Sequence, residues 1–355
     1  SPAASPRRAR FDRPRAARYR SAVHAKGREI VKAMLCKAWG GPDDLVFEET
    51  ADPKAGPGEV VIDVHACGVN FPDILLIGGK YQFKPDFPFS PGMEVGGVVA
   101  EIGQGVTDVA VGDRVMAACG DGGFAEKVSA PAKKTFKLPD GVSFEQAAGF
   151  PVTYGTTYHA LKDRGQLKPG EVLLVHGASG GVGLNAVELG KLMGATVIGT
   201  VGSDEKMDIV RKYGADHVFN YSKQSIRDTV KELTGGKGAD VIYDPVGGDA
   251  FDESLRCINW DGRLLVIGFA SGRIPEAKAN LVLLKQCQIV GVFWGAWTER
   301  YPDRCREQFD TLLNWCAQGK LNPHVSMRFP LEKSPDALKA LAARKATGKV
   351  IVNVR

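Results

Sequence analysis

Between residue 31 and about residue 150 the apolar positions come in short runs broken by Gly and Pro. Val60-Val61-Ile62-Asp63-Val64, the stretch 96–102, Gly112-Asp113-Arg114-Val115 and 124–128 each read as a strand bounded by turn residues. The pattern predicts a β-rich, barrel-like module. After about residue 153 it changes. Strands are predicted at 172–175, 196–200, 217–219, 241–243, 264–267 and 288–293, with helices at 184–192, 205–212, 225–233 and 249–258 between them. Strands alternating with amphipathic helices predict βαβ units and a parallel sheet. Helices at 304–318 and 335–346 and a strand at 350–354 are too little for a third domain, so the chain is expected to return to the first.

The 355 residues exceed one ordinary core, and 44% hydrophobic with 25% charged residues is the profile of a folded globular chain. The most apolar region, 280–297, is interrupted by Lys285 and Gln286, short of the roughly 18 uninterrupted residues a membrane helix needs. Forty-three glycines predict tight turns and close backbone approaches. The net charge of +5 comes from one place: residues 1–30 carry eight Arg and Lys26 against Asp12 and Glu29, so the rest of the chain is slightly acidic. A folded body without basic excess argues against nucleic-acid binding. The basic stretch lacks the apolar residues to offset its ordering entropy and is expected to be a disordered extension. Its Arg-rich, acid-poor composition is also compatible with a mitochondrial presequence. Seven scattered cysteines with no CxxC predict a reducing compartment, the cytoplasm, without disulfides or a thiolate zinc site.

The strongest chemical signal is Val175-His176-Gly177-Ala178-Ser179-Gly180-Gly181-Val182-Gly183, between a predicted strand and a predicted helix. Read as A-x-G-x-x-G, it puts Ala178, Gly180 and Gly183 where small residues allow a tight turn, backbone approach to a pyrophosphate, and helix–strand packing. Ser179, Gly181 and Val182 complete the cradle. An NAD site wants an acid about 20 residues further on, at the end of the next strand. Here the strand ends in Val201-Gly202, followed by Ser203 and Lys206, a hydroxyl and a cation suited to a 2′-phosphate. Asp204 and Glu205 fall a step later, where they also favour the first turn of the next helix. NADPH is the expected cofactor.

The order of β-rich half, A-x-G-x-x-G half and returning C-terminus resembles the medium-chain dehydrogenase/reductases. Within them the chain is similar to the zinc-free, zeta-crystallin-like NADPH:quinone oxidoreductases. The resemblance spans roughly 31–355 and rests on Ala66-Cys67-Gly68-Val69-Asn70, Pro91-Gly92-Met93-Glu94, Gly112-Asp113-Arg114-Val115, the glycine-rich loop, and Ala346-Thr347-Gly348-Lys349-Val350. It implies an α/β protein with a GroES-like β-rich catalytic domain (31–152 and 294–355) and a doubly wound Rossmann domain (153–293). It also implies a homodimer. An apolar sixth strand at the sheet edge, 288–293, gives that dimer a physical motive, since an unpaired edge is a pairing hazard.

The resemblance further implies that Asn70 lies near the nicotinamide ring, with an Asx turn before Pro72 as the plain alternative. Thr153 should lie under the ring and Tyr221 on the adenosine phosphate side. Gly268, Phe269, Phe293 and Trp294 should touch the nicotinamide through their backbones, although the last two also read as core or interface aromatics. Lys349 approaches the site from the last strand or is solvated. Tyr81 matches the position where related enoyl-thioester reductases place a catalytic tyrosine, and equally reads as a rim or core residue. Leu75 stands where family members contribute an aromatic to the substrate pocket.

Zinc alcohol dehydrogenases carry a Cys ligand where this chain has Asn70 and a His where it has Met93, so no metal is expected. Without a Lewis acid, acceptors that delocalise the incoming charge are favoured: quinones and α,β-unsaturated carbonyls. A 2-enoyl thioester reductase and a catalytically quiet NADPH-binding protein are the alternatives.

Overall fold

The computed structural model describes residues 30–355, so all but Ile30 of the basic extension expected at 1–30 lies outside the described residues. Strands β1 (Ile30–Leu35) and β2 (Val46–Ala51) form an antiparallel ribbon. They lead into the long β3 (Glu59–Val69), helix α1 (Phe71–Ile77), β4 (Glu94–Ile102), β5 (Arg114–Ala118), β6 (Lys127–Pro131) and β7 (Thr135–Lys137). Helices α2 (Phe144–Ala148) and α3 (Pro151–Tyr158) connect to β8 (Val172–Val175). The alternating part follows: α4 (Gly181–Leu192), β9 (Thr196–Val201), α5 (Met207–Lys212), β10 (His217–Asn220), α6 (Ile226–Leu233), β11 (Ala239–Asp244), α7 (Gly248–Cys257) and β12 (Ile258–Val266). It ends with α8 (Ala279–Lys285) and β13 (Gln288–Gly291). Then come α9 (Trp294–Arg300), α10 (Pro302–Ala317), β14 (Val325–Pro330), α11 (Ser334–Ala342) and β15 (Lys349–Asn353).

The six strands β10-β9-β8-β11-β12-β13 make one all-parallel sheet. Counted from β8, the order is 3-2-1-4-5-6, which reverses between β8 and β11 and opens a crevice at their carboxyl ends. Residues such as Leu173, Leu174, Val241, Ile242 and Leu264 are fully buried because helices cover both faces. The second sheet runs β14-β15-β3-β4-β5-β7. Within it β3 pairs along its length with β4 on one side, and on the other with β6 at Glu59–Asp63 and β15 at Ala66–Val69. The last strand of the chain therefore lies beside the Cys67-Gly68-Val69-Asn70 stretch. This is the α/β combination of a GroES-like and a Rossmann sheet that the sequence predicts.

The segment from 294 packs against both sheets before it pairs with either. Trp294, Cys305, Phe309, Leu312 and Leu321 share one apolar cluster with Leu173, Val175 and Tyr154, so α9 and α10 pack with the parallel sheet's layer. Phe309 also stacks on Phe136 of β7 at 4.2 Å, which joins that layer to the other sheet. Pairing with the second sheet starts only at Val325. Strand β14 and helices α1, α3 and α8 were not visible in the hydrophobic pattern. Helix α3 is buried nearly all round and contains Gly155 and three threonines, which blurs any amphipathic period.

His176 shows how tightly the strand ends are tied. Ser254 Oγ donates to Ala250 O at 2.7 Å, so it accepts from His176 Nε2–H at 2.7 Å, and Nδ1 then accepts from Thr200 Oγ1 at 3.1 Å. In this arrangement the neutral imidazole links β8, β9 and α7. Burial pushes its pKa below the ordinary value, with Asp244 pulling the other way. A histidine held neutral in the native state contributes fully above its unfolded value of about 6.5, and that contribution is lost as pH falls below it. The stability gap between wild type and His176→Gln should therefore shrink from pH 7.5 to pH 5 in urea titrations. A gap that stays constant would show that His176 does not titrate with unfolding.

Candidate active site

The crevice is floored by the turn from β8 into α4. Ala178 is fully buried, its N–H held by Thr200 O at 2.9 Å, and Gly180 stands just before the first residue of α4. A Cβ on Gly183 would come 2.2 Å from Gly177 O, so only glycine allows the helix to pack this close to its own turn. The N-terminus of α4 thus presents free N–H groups to the crevice, as an anionic pyrophosphate requires. The loop also docks onto the other half of the molecule. Gly348 N donates to Ser179 O at 2.8 Å, and Gly348 and Gly180 form a parallel bridge. Gly348 has φ +62°, and a Cβ there would meet His324 O at 2.5 Å.

One step along the chain, Lys349 dives into the protein. Its Nζ donates to Val69 O (3.0 Å), Asn70 Oδ1 (2.8 Å) and Glu94 Oε1 (2.8 Å), with Glu94 fully buried. Asn70 Nδ2 donates to Gly68 O at 3.3 Å and to the same Glu94 Oε1 at 2.9 Å. Glu94 Oε2 accepts from Val152 N at 2.7 Å, at the start of α3. Asp73, also fully buried, accepts from Asn70 N (2.8 Å) and Gly92 N (3.1 Å). Burial pushes the Asp73 carboxyl up to about 7 against those two N–H groups and Lys349, which pull it down; Glu94 adds to the rise. Thus β3, α1, β4, α3 and β15 meet at one buried ion pair, and the aliphatic stem of Lys349 lies against Gly149 and Gly181.

This arrangement refines several expectations. Lys349 is not solvated: its ammonium is saturated by three protein oxygens, and only its stem borders the nucleotide loop. Asn70 spends its amide on Gly68, Glu94 and Lys349 rather than on an Asx turn before Pro72. Glu94 and Asp73 were missed as site residues. Glu94 lies within the Pro91-Gly92-Met93-Glu94 motif, but nothing local marks either acid as buried. Thr153 is buried, its Oγ1 donating to Gly149 O (2.7 Å) and accepting from Asn185 Nδ2 (2.8 Å). Trp294 sends its indole into the core against Gly155 and Phe309, whereas Phe293 is half exposed. Gly268 and Phe269 follow β12, and Phe269 lies over Gly247. Tyr81 packs partly buried on the cluster that includes Leu76 and Phe89. Burial and the nearby Asp73 charge push its phenol above the ordinary value, so it stays protonated.

At the end of β9 the Tyr221 hydroxyl closes over Gly202, 2.8 Å from where a Cβ would stand. Lys206 Nζ donates to Arg344 O at 2.6 Å, and Ser203 Oγ to Glu205 Oε1 at 3.2 Å. The strand end thus carries Tyr221 over Gly202, with the Ser203 hydroxyl and the Lys206 ammonium, neither buried, in the turn that follows.

Comparison with known proteins agrees with this geometry. Residues 56–140 match the alcohol dehydrogenase GroES-like domain, and residues 181–317 match the zinc-binding dehydrogenase family. The chain is 43% identical over 333 residues to a quinone oxidoreductase-like protein 2 homolog of Nematostella vectensis, covering 93% of this chain and 90% of that one. It is 41% identical to the Mus musculus quinone oxidoreductase-like protein 2, with 95% of both chains covered. The chain belongs to the quinone oxidoreductase branch of the medium-chain dehydrogenase/reductases. It is an oxidoreductase. The crystal structure of Escherichia coli quinone oxidoreductase complexed with NADPH superimposes with a TM-score of 0.86 at 30% identity, over 91% of this chain and all of that one.

The zinc in the family's description does not fit these residues. Among the described residues no three His, Cys, Asp or Glu side chains converge as metal ligands. Glu94 and Asn70 already surround an ammonium, and Met93 offers only a thioether. In this quinone oxidoreductase relative the buried cation is Lys349. Removing one partner of a buried pair strands the other charge at a cost of about 3–5 kcal/mol. Lys349→Met should lose about that much in urea unfolding, and Lys349→Met combined with Glu94→Gln should recover more than half. A single-variant cost below about 1 kcal/mol would mean that the pair is not what ties these strands together.

Proposed function

We propose that the chain is an NADPH-dependent reductase that transfers hydride, without a metal, to a quinone or α,β-unsaturated carbonyl bound beside the nucleotide loop. The observation that carries this reading is the conjunction of two features. A glycine-limited helix N-terminus faces the crevice, and a lysine ion pair fills the buried polar centre beside it. Bound NADPH supplies the hydride. The protein's part is positional. The α4 turn holds the pyrophosphate, and Ser203, Lys206 and Tyr221 receive the 2′-phosphate. Thr153 and the start of α3, held by Glu94, form the floor beneath the nicotinamide. Gly268, Phe269 and Phe293 border its other side.

Quinones and conjugated enones need no oxyanion stabilisation at the carbon that takes the hydride, because charge spreads to a distant oxygen. The neutral phenol of Tyr81 makes no hydrogen bond among the described residues, which leaves its proton free for a substrate oxygen or carbon. This supports a proton-donor role and keeps a 2-enoyl thioester reductase as the second reading. Steady-state assays should show NADPH-dependent reduction of quinones and enones that chelators leave unchanged; chelator-sensitive turnover would remove the proposal. Tyr81→Phe should lower quinone kcat/KM by less than tenfold. A loss of 100-fold or more confined to enoyl thioesters would favour the second reading, and tight NADPH binding without any turnover would leave a catalytically quiet binder.

A homodimer belongs to the same proposal. Strand β13 is an edge of the parallel sheet, and Leu283 (78% exposed) and Leu284 (67%) stand exposed in α8, just before it in the chain. Pairing of β13 with its twin across a two-fold axis would cover an open edge and adjoining apolar side chains. Sedimentation should give about twice the 38.1 kDa chain mass at micromolar concentration. Ile289→Pro, which deletes a donor facing away from β12 on the open edge, should shift that toward monomer, and a monomeric wild type would reject the dimer.

A further inference from the structure

Asp204 stands two residues after Gly202, close to where an acid would bind the ribose diol of NAD and oppose a 2′-phosphate. In the structure its carboxylate is committed elsewhere. Asn220 Nδ2 donates to Oδ1 at 2.8 Å, and Lys223 Nζ pairs with Oδ2. Lys223 and Asn220 hold the carboxyl below the usual range, so it remains charged. Asn220 is itself buried at the end of β10, its Oδ1 accepting from Ser222 N at 2.9 Å, so its amide cannot rotate away. The same turn grips the strand end from two further points: Tyr221 N donates to Val201 O at 3.0 Å, and Ser222 Oγ to Gly202 O at 3.1 Å. Residues 220–223 thus form a clasp around Gly202–Asp204.

We propose that Asn220 and Lys223 are specificity-determining residues that turn Asp204 toward β10 and neutralise it, so that the strand end accepts a 2′-phosphate rather than a bare ribose diol. The local charge count supports this. Lys223 cancels Asp204, and Glu205 is engaged by Ser203 Oγ. Lys206, Lys223 and Arg344 are the cations of the neighbourhood, with Lys206 bound only to a neutral carbonyl, Arg344 O, and the Arg344 guanidinium donating to Ala270 O at 2.9 Å. With the clasp intact the site is net positive. With Lys223 gone, Asp204 is an uncompensated anion beside the phosphate position. The two residues act differently. Lys223 and Asp204 are both more than half exposed, so their pair is a screened surface interaction. Asn220 is buried and sets the direction in which the carboxylate points.

This inference rests on the NADPH reading, and a pair of adenosine ligands separates the two. Calorimetry at low ionic strength would compare adenosine 2′,5′-bisphosphate with AMP. The wild type should prefer the bisphosphate; absence of that preference overturns the NADPH reading and this inference with it. Lys223→Met should lower the preference by about 2- to 5-fold, the range of an exposed ion pair. Asn220→Asp, which keeps the acceptor for Ser222 N but repels Asp204, should lower it by about tenfold or more. Both effects should vanish in an Asp204→Asn background. If the preference is unchanged in Lys223→Met and Asn220→Asp, or if their losses persist with Asn at 204, Asp204 is not the residue through which they act and the proposal is overturned. Raising the salt concentration should erase the Lys223 effect before the Asn220 effect; the reverse order also contradicts it.

Discussion

A single buried ion pair, Lys349 with Glu94, ties the last strand of the chain to β4 within the second sheet and, through Val152, fixes the start of α3. One charge comes from the last strand of the chain and the other from the middle of the N-terminal sheet. Their remaining valences are filled by Asn70, by Val69 O and by the N–H of Val152. A buried pair is seldom a net gain in stability over apolar packing, because both charges lose their hydration. What it does here is directional. An ammonium with three fixed acceptors and a carboxylate with three fixed donors leave little freedom to the backbone on which they sit. That backbone includes the start of α3, and therefore Thr153, and, through Gly348 and the Lys349 stem, the nucleotide loop.

The same pair supports the proposal of chemistry without a metal ion. A cation does sit beside Asn70, but it is covalently part of the chain and its donors are used up inside the protein. It cannot polarise a substrate oxygen as an open metal position does. Chemistry that needs positioning more than electrophilic help is what such a crevice favours, and this is the ground on which conjugated acceptors are proposed.

Much of the fold was legible because the parallel sheet is buried on both faces. Runs such as Val172–Val175 and Ala239–Asp244 advertise themselves, and the glycine pattern at 177–183 has few physical uses other than a tight turn beneath a helix. The 2′-phosphate side was legible through what is missing after Val201. The polar network was not. Lys349, Glu94 and Asp73 are charged residues in strands or a short helix, and nothing local distinguishes a buried charge from a solvated one when its partner is 255 residues away. The packing of α10 was illegible for a related reason: its apolar face fits either sheet, and in the structure it meets Tyr154 of α3 and Phe136 of β7 together. Asn220 and Lys223 likewise gain meaning only once β10 lies beside β9.

The most direct test of this account is amide hydrogen exchange at Val152, whose N–H ends on Glu94 Oε2. In the wild type its protection should approach that of Ile242 in the central strand β11. In Lys349→Met it should fall by at least tenfold while Ile242 remains protected, because the freed carboxylate no longer holds a fixed direction. Unchanged protection at Val152 in a folded Lys349→Met variant would contradict the claim that this ion pair sets the position of α3.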